Sequence, residues 1–253
     1  MCKNGALRFE EFGYSMPVSE SLFGRPPFKH HGVDVISVTF ETDYEYVSKI
    51  VPEQLAFTDS VPRATLVIES FKNAAIPNYL EAMIMLHCTY RGEEFMYMPS
   101  LLVTAPGAMV TGREVWGYPK KPAAISLEIK NGSYRSTLKR PTGAEILSVT
   151  AERGERLSAS AWKNTDGMVL KQIPSAEHKA PDVCQLVGCP YYFTPAQTED
   201  GKPDIWKADN VKIKFDGEKD PWRAIPVENV VEAVVGAFDT SLSYGYVVYD
   251  YMK

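Results

Sequence analysis

Two adjacent lysines, Lys120 and Lys121, stand between Pro119 and Pro122 at the end of the run Gly112-Arg113-Glu114-Val115-Trp116-Gly117-Tyr118. Each proline fixes φ and removes a backbone donor, so the pair is held in a stiff bend. Val115, Trp116 and Tyr118 beside it offer an apolar wall into which an ammonium can be aimed. The chemistry open to such a residue is nucleophilic. A free lysine titrates at roughly 10.4, and only the unprotonated amine attacks a carbonyl. Desolvation and a neighbouring cation both disfavour the ammonium, so a lysine beside a lysine in a dry pocket is a candidate Schiff-base nucleophile. The plain alternative is a solvated hairpin end, since lysine is among the residues least often buried. Spacing does not say which of the two faces inward, because neighbouring strand residues point to opposite faces.

The elements that must position the pair are mostly strands. Residues 35–42 are β-branched and aromatic and predict a strand. Asp43 is a fair N-cap for a short helix carrying Tyr44, Val47, Ile50 and Val51, which Pro52 stops. Residues 64–69 and 81–90 predict two strands with a turn at Pro77-Asn78 between them. Residues 95–98 and 101–104 continue the sheet, broken at Pro99-Ser100. Met83, Met85, Met96, Met98 and Met109 crowd this region as core or as pocket lining. The alternating residues 125–130, followed by Asn131-Gly132, predict a hairpin with a two-residue type I′ turn. The strand entering it begins directly after the lysines.

Residues 145–150, 168–171 and 211–215 predict further short strands. Their spacing suggests an antiparallel, barrel-like sheet rather than βαβ units. Residues 10–29, with Gly13, Pro17, Gly24, Pro26 and Pro27, predict an extended arm. Residues 196–210 predict a surface loop. Pro226 is expected to open a helix whose apolar face is Val227, Val230, Val231, Val234 and Phe238. The tail 244–251 predicts a final strand.

The chain has 253 residues and a net charge of −5, with no electrostatic footprint for nucleic acid. It has no apolar run of about 18 residues that would span a membrane, and its N-terminus lacks an apolar signal region. The expectation is a cytoplasmic protein. Cys2, Cys88, Cys184 and Cys189 fit no redox or zinc spacing and are expected to be reduced. His30, His31, His87 and His178 form no ligand pattern, so no metal is expected.

The segment GREVWGYPKK resembles the active-site segment of the acetoacetate decarboxylase family, which reads closely as G-R-E-x-x-x-Y-P-K-K. Weaker likenesses run from about residue 14 to the tail Val247-Val248-Tyr249-Asp250-Tyr251-Met252-Lys253. The resemblance implies a mainly β (α+β) fold over residues 1–253 as a single domain with a few short helices. Its core would be an antiparallel conical β-barrel wrapped by a second sheet, preceded by an extended arm over 1–30. It also implies a homo-oligomer. It makes Lys120 the imine-forming lysine and Lys121 the cationic neighbour credited with activating it, a mechanism belonging to the family rather than read from these residues. Tyr79-x-Glu81 places Glu81 at the family's active-site glutamate, an acid/base group that protonates the enamine.

Arg113 and Glu114 are expected to form a structural ion pair, although Arg113 could also hold a substrate carboxylate bidentately. With Tyr118, Arg113 joins the candidate substrate-binding residues.

Two positions depart from the family. Aligned on His31 and Thr42-Asp43, the family's arginine is Val33, and its glutamate two residues beyond Arg63 is Thr65. The polar network around the substrate carboxylate is then partly apolar. The implied activity is a carbon–carbon lyase that decarboxylates a small β-keto acid, acetoacetate-like, through a lysine imine with no cofactor. An aldolase-dehydratase or cyclase acting on a keto acid through the same imine is the alternative, and a non-catalytic small-molecule binder is a third reading.

Overall fold

The computed structural model describes residues 4–72, 78–216 and 225–253. The Pro77 half of the turn expected at 77–78 lies outside them, as does Cys2. Fifteen strands and two short α-helices follow in order: β1 (Phe28–Glu41), α1 (Tyr44–Val47), β2 (Ala56–Phe57), β3 (Arg63–Phe71), β4 (Tyr79–Tyr90), β5 (Glu93–Val103), α2 (Pro106–Val115), β6 (Lys120–Pro122), β7 (Ala124–Lys130) and β8 (Ser133–Lys139). Next come β9 (Glu145–Arg156), β10 (Gly167–Ile173), β11 (Val183–Cys189), β12 (Tyr191–Pro195), β13 (Ile205–Phe215), β14 (Asn229–Leu242) and β15 (Tyr246–Asp250). The fold is mainly β, as expected.

All fifteen strands join one hydrogen-bonded sheet in the order β15-β11-β10-β5-β4-β3-β1-β14-β13-β9-β8-β7, with β12 on β14, β2 on β4 and β6 on β5. The pairings are antiparallel except β10–β5 and β5–β6. The expected outer sheet is therefore continuous with the inner one. It folds back so that Tyr134, Leu138, Leu147 and Val149 of β8 and β9 pack on Ile36, Val38, Leu66, Ile68 and Ile84 of the central strands. The period-two alternation of β1, β3 and β4 sends the intervening residues to the opposite face, where Val33, Val35, Val67, Met83 and Leu101 form a second apolar cluster. Being covered on both faces, these strands read as nearly unbroken apolar runs.

Several local expectations are met in atomic detail. The Asp43 carboxylate caps α1 by accepting from the Tyr46 backbone N–H at 2.7 Å. Asn131 and Gly132 both take positive φ, 51° and 79°, as a type I′ turn requires. Cys88, Cys184 and Cys189 are free thiols.

Other expectations are corrected. The helix at Pro226 is strand β14, and Pro226 lies in the irregular segment before it. Pairing with β1, β12 and β13 buries both faces of its centre, Ala233–Gly236. Two-sided burial erases the period of two, and the valines that matched a helical stripe are β-branched residues at home in a strand. β5 is not broken at Pro99-Ser100. Met98 and Pro99 together oppose Met85 in a bulge between the pairs Ile84–Ser100 and Leu86–Tyr97, which accommodates the missing proline N–H. The loop expected over 196–210 ends at Asp204, and β13 begins at Ile205. Its Lys207, Asp209 and Asn210 are the solvated side of a strand bulged at Asn210, whose φ is 51°. The N-terminal arm ends at Pro27, so His30 already belongs to β1.

Candidate active site

The helix before the lysines has no clear periodicity in sequence, but both its ends are marked. Pro106 occupies the first turn, where its missing N–H costs nothing. Gly117, at φ +90°, turns the chain out of α2 while the N–H groups of Trp116, Gly117 and Tyr118 all donate to the Gly112 carbonyl. The Lys171 ammonium donates to the carbonyls of Glu114 and Val115 at 2.8 Å each and so caps the same helix end. With the turn fixed, Tyr118 and Lys120 point inward and Lys121 outward: Lys120 is buried and Lys121 exposed, on opposite faces of β6. Gly112 has a specific role in that geometry. A Cβ there would lie 2.7 Å from Lys120 Cε and 2.8 Å from Cδ, so the glycine is the bed on which the lysine stem lies.

Successive rungs of the inner face define what the amine meets. One rung runs Val35–Glu69–Glu81–Val103 across β1, β3, β4 and β5. The next runs Ser37–Val67–Met83–Leu101–Lys120. A third carries Thr39–Thr65–Met85. The Lys120 ammonium reaches from the second rung to the first and pairs with Glu81 Oε1. It also lies 5.6 Å from the centroid of the Tyr118 ring.

Glu69, fully buried, faces Glu81 across the β3–β4 ladder. Its Oε1 accepts from the Tyr191 hydroxyl at 3.3 Å, while its Oε2 has no partner. Burial, then the Glu81 charge, push the Glu69 carboxyl up to about 8, so it carries a proton at neutral pH. Burial also raises Glu81, against the pull of the Lys120 ammonium. Of the two facing carboxyls Glu69 is thus the neutral acid, and Glu81 is the one that pairs with Lys120. His30, edge-on to Phe71, is held below its ordinary value by burial and then by Lys120.

A cavity of about 500 Å³ opens over the second and third rungs. Its floor includes Ser37, Val67, Met83 and Tyr191, and its aromatic wall is Trp162 and Phe193. Lys120, Glu69 and Glu81 do not line it; they sit just behind the floor. Met83, Met85, Met96 and Met98 are lining residues, whereas Met109 packs against the inner cluster.

The residues singled out in sequence separate into groups. Lys120 and Glu81 come together, and Tyr118 is buried beside them. Thr65 lies in the cavity, bonded to Thr39 Oγ1 and His87 Nε2 at 2.8 Å each. Val33 is wholly buried in the inner cluster. Arg113 is exposed, forms no ion pair with Glu114, and donates to the Lys120 carbonyl at 3.2 Å. The expected ion pair fails because adjacent helical positions diverge around the axis. Sequence reasoning misses Glu69, Tyr191 and Gly112. For Glu69 the signal is its alternation with Thr65 and Val67, which becomes informative once the register with Glu81 is known.

No helix among the described residues is long and apolar enough to cross a membrane.

The curated relatives most similar to the chain include the acetoacetate decarboxylase of Acidiphilium cryptum, 26% identical over 98% of this chain and 99% of that one. That of Clostridium acetobutylicum is 23% identical over 94% and 96%. Among solved structures, acetoacetate decarboxylase from Legionella pneumophila superposes with a TM-score of 0.83 at 20% identity, covering all of both chains. The enduracididine biosynthesis enzyme MppR, complexed with the condensation product of pyruvate and imidazole 4-carboxaldehyde, reaches 0.77 at 18% identity over 98% of this chain and 100% of that one. The model of the family described as acetoacetate decarboxylase matches residues 15–252, so this chain, lysine pair included, belongs to the acetoacetate decarboxylase family.

Proposed function

We propose that the protein is a Schiff-base lyase that decarboxylates a β-keto acid through an imine on Lys120. The observation that carries this reading is the buried Lys120–Glu81 pair, with the buried Glu69 carboxyl across the ladder and apolar residues around them. Glu81, made more basic by burial, takes a proton from Nζ and leaves a free amine. The substrate carbonyl approaches past Met83 and Val67, and the amine adds to the ketone carbon. The hydroxyl of the resulting carbinolamine leaves as water, with the proton supplied by Glu69. The iminium then accepts the electron pair of the breaking carbon–carbon bond as carbon dioxide departs. Glu81 returns its proton to the enamine carbon, water releases the product ketone and the lysine ammonium, and the proton that decarboxylation consumes is taken from solvent to restore Glu69. Lys121, exposed on the far face of β6, has no part in these steps. The decarboxylase relatives support the same assignment.

Incubation with acetoacetate and borohydride tests the imine. A reduced adduct mapping to Lys120, and lost in Lys120→Ala, is the expected result; no adduct at Lys120 would overturn it.

A second reading, condensation followed by dehydration, is favoured by one observation: Val33, the position that the resemblance aligns with the family's arginine, is wholly buried among apolar residues. MppR, with its bound condensation product, shows the shared fold holding such a compound. Carbon dioxide release from acetoacetate supports decarboxylation. A condensation product from pyruvate and an aldehyde, without carbon dioxide, supports the second reading.

A further inference from the structure

The cavity is larger than a short keto acid requires. At about 500 Å³ it has roughly three times the ~150 Å³ that encloses a benzene-sized molecule. Its chemistry also changes along its length. On the rung that carries Lys120 the lining is Met83, Val67 and Ser37, with Val234 beyond Ser37, and Trp162 and Phe193 add aromatic surface. Unbranched methionines among aromatics form an adaptable apolar tube. At the third rung polar groups join Met85 in the lining. Thr39, Thr65 and His87 form a chain of polar groups joined through Thr65. Burial holds His87 below its ordinary value, so the imidazole is neutral at pH 7 and the chain is uncharged. The charged lining residues Glu94, Lys163 and Glu232 are all exposed at the mouth. Glu69 and Thr65 are separated by four residues along β3, about 13 Å at the ordinary strand rise.

We infer that the substrate is an elongated ketone or keto acid, with an apolar chain filling the methionine–aromatic tube and an uncharged hydroxyl, carbonyl or amide at its far end meeting Thr65 and His87. This rests on the imine reading for which end faces Lys120, but the binding of the far end does not require the imine. Thr65 is then a specificity-determining residue about 13 Å along β3 from Glu69. Its hydroxyl and the imidazole can each donate or accept, which suits a neutral polar group. A terminal carboxylate would meet an uncharged pair there, with Glu94, Lys163 and Glu232 exposed at the mouth and partly exposed Arg63 two residues along β3.

The test uses straight-chain methyl ketones of increasing length, each also made with a terminal hydroxyl. Binding is followed by quenching of tryptophan fluorescence, to which Trp162 in the cavity wall contributes. Affinity is expected to rise roughly threefold to fourfold per methylene, levelling off as the chain reaches the third rung. At that length the terminal hydroxyl adds up to about tenfold. Thr65→Val, nearly isosteric, removes the hydroxyl preference and leaves the methyl-ended series unchanged. Met85→Trp fills the far end and weakens only the long ligands.

Affinity independent of length, or a Thr65→Val variant that keeps the hydroxyl preference, would overturn the inference. Borohydride trapping of the same ketones on Lys120 is read separately. Length-dependent binding without any adduct refutes the imine reading alone, and an adduct with no length dependence refutes the inference alone.

Discussion

Glu69 gives a quantitative handle on the site, because its titration is written into the stability of the fold. In the folded chain its carboxyl holds a proton up to about pH 8, against 4.5 for the ordinary group. Between those values the folded state binds more protons than the unfolded one. Raising the pH through that window therefore lowers stability, and the loss is complete above the folded value. Each unit of displacement corresponds to about 1.36 kcal/mol. The span from 4.5 to about 8 then amounts to a loss on the order of 5 kcal/mol.

Glu69→Gln keeps the shape and an acceptor for Tyr191 but cannot ionise. Urea unfolding of both proteins at about pH 5, 7 and 9 isolates the effect from every other titrating group. The variant should be within about 1 kcal/mol of the parent at the acid end and become the more stable protein at the alkaline end. A difference between the two that stays constant from acid to alkaline pH would refute the reasoning, since Glu69 would then titrate alike folded and unfolded.

Three further substitutions probe how the lysine is presented. Lys121→Ala should leave kcat for carbon dioxide release within about twofold, since its side chain is exposed on the face away from the amine; a loss beyond tenfold would restore a role for its charge. Gly112→Ala places a methyl group 2.7 Å from Lys120 Cε. The flexible stem yields first, so the fold should survive while kcat drops ten- to a hundredfold, and unchanged turnover would show the bed to be unimportant. Lys171→Met removes two donors from the end of α2 and should cost roughly 1–3 kcal/mol in urea unfolding, with no cost expected only if water replaces the ammonium.

The lysine motif is legible as sequence because its parts are local. Pro119, Gly117 and the Asn131-Gly132 turn act through their own φ angles, and Asp43 caps a helix three residues away. Glu69 is illegible for the opposite reason. Nothing within β3 distinguishes it from a strand-end carboxylate; its meaning comes from Glu81 across the ladder, Tyr191 on β12 and Lys120 on β6. The strand β14 is misread because burial on two faces hides its period, and Pro99 reads as a break because the bulge that tolerates it lies in the pairing with β4. The orientation of the two lysines also required the structure, since the sequence leaves the choice between them open.

The same pairing ties the chemistry to the core on the other side of the sheet. A slip of one residue between β3 and β4 would turn Glu69 into the outer cluster and bring Ile68 and Ser70 to the amine. It would bury a carboxyl among Ile36 of β1 and Ala82 and Ile84 of β4 without a partner, at a cost of several kcal/mol. The outer apolar residues thus hold the register that makes the two glutamates face each other. The amine's surroundings are set by large side chains that never approach it. Burial of Lys120 is in this sense a property of the folded-back sheet rather than of the lysine motif, which only aims one side chain into a space that the central strands already enclose.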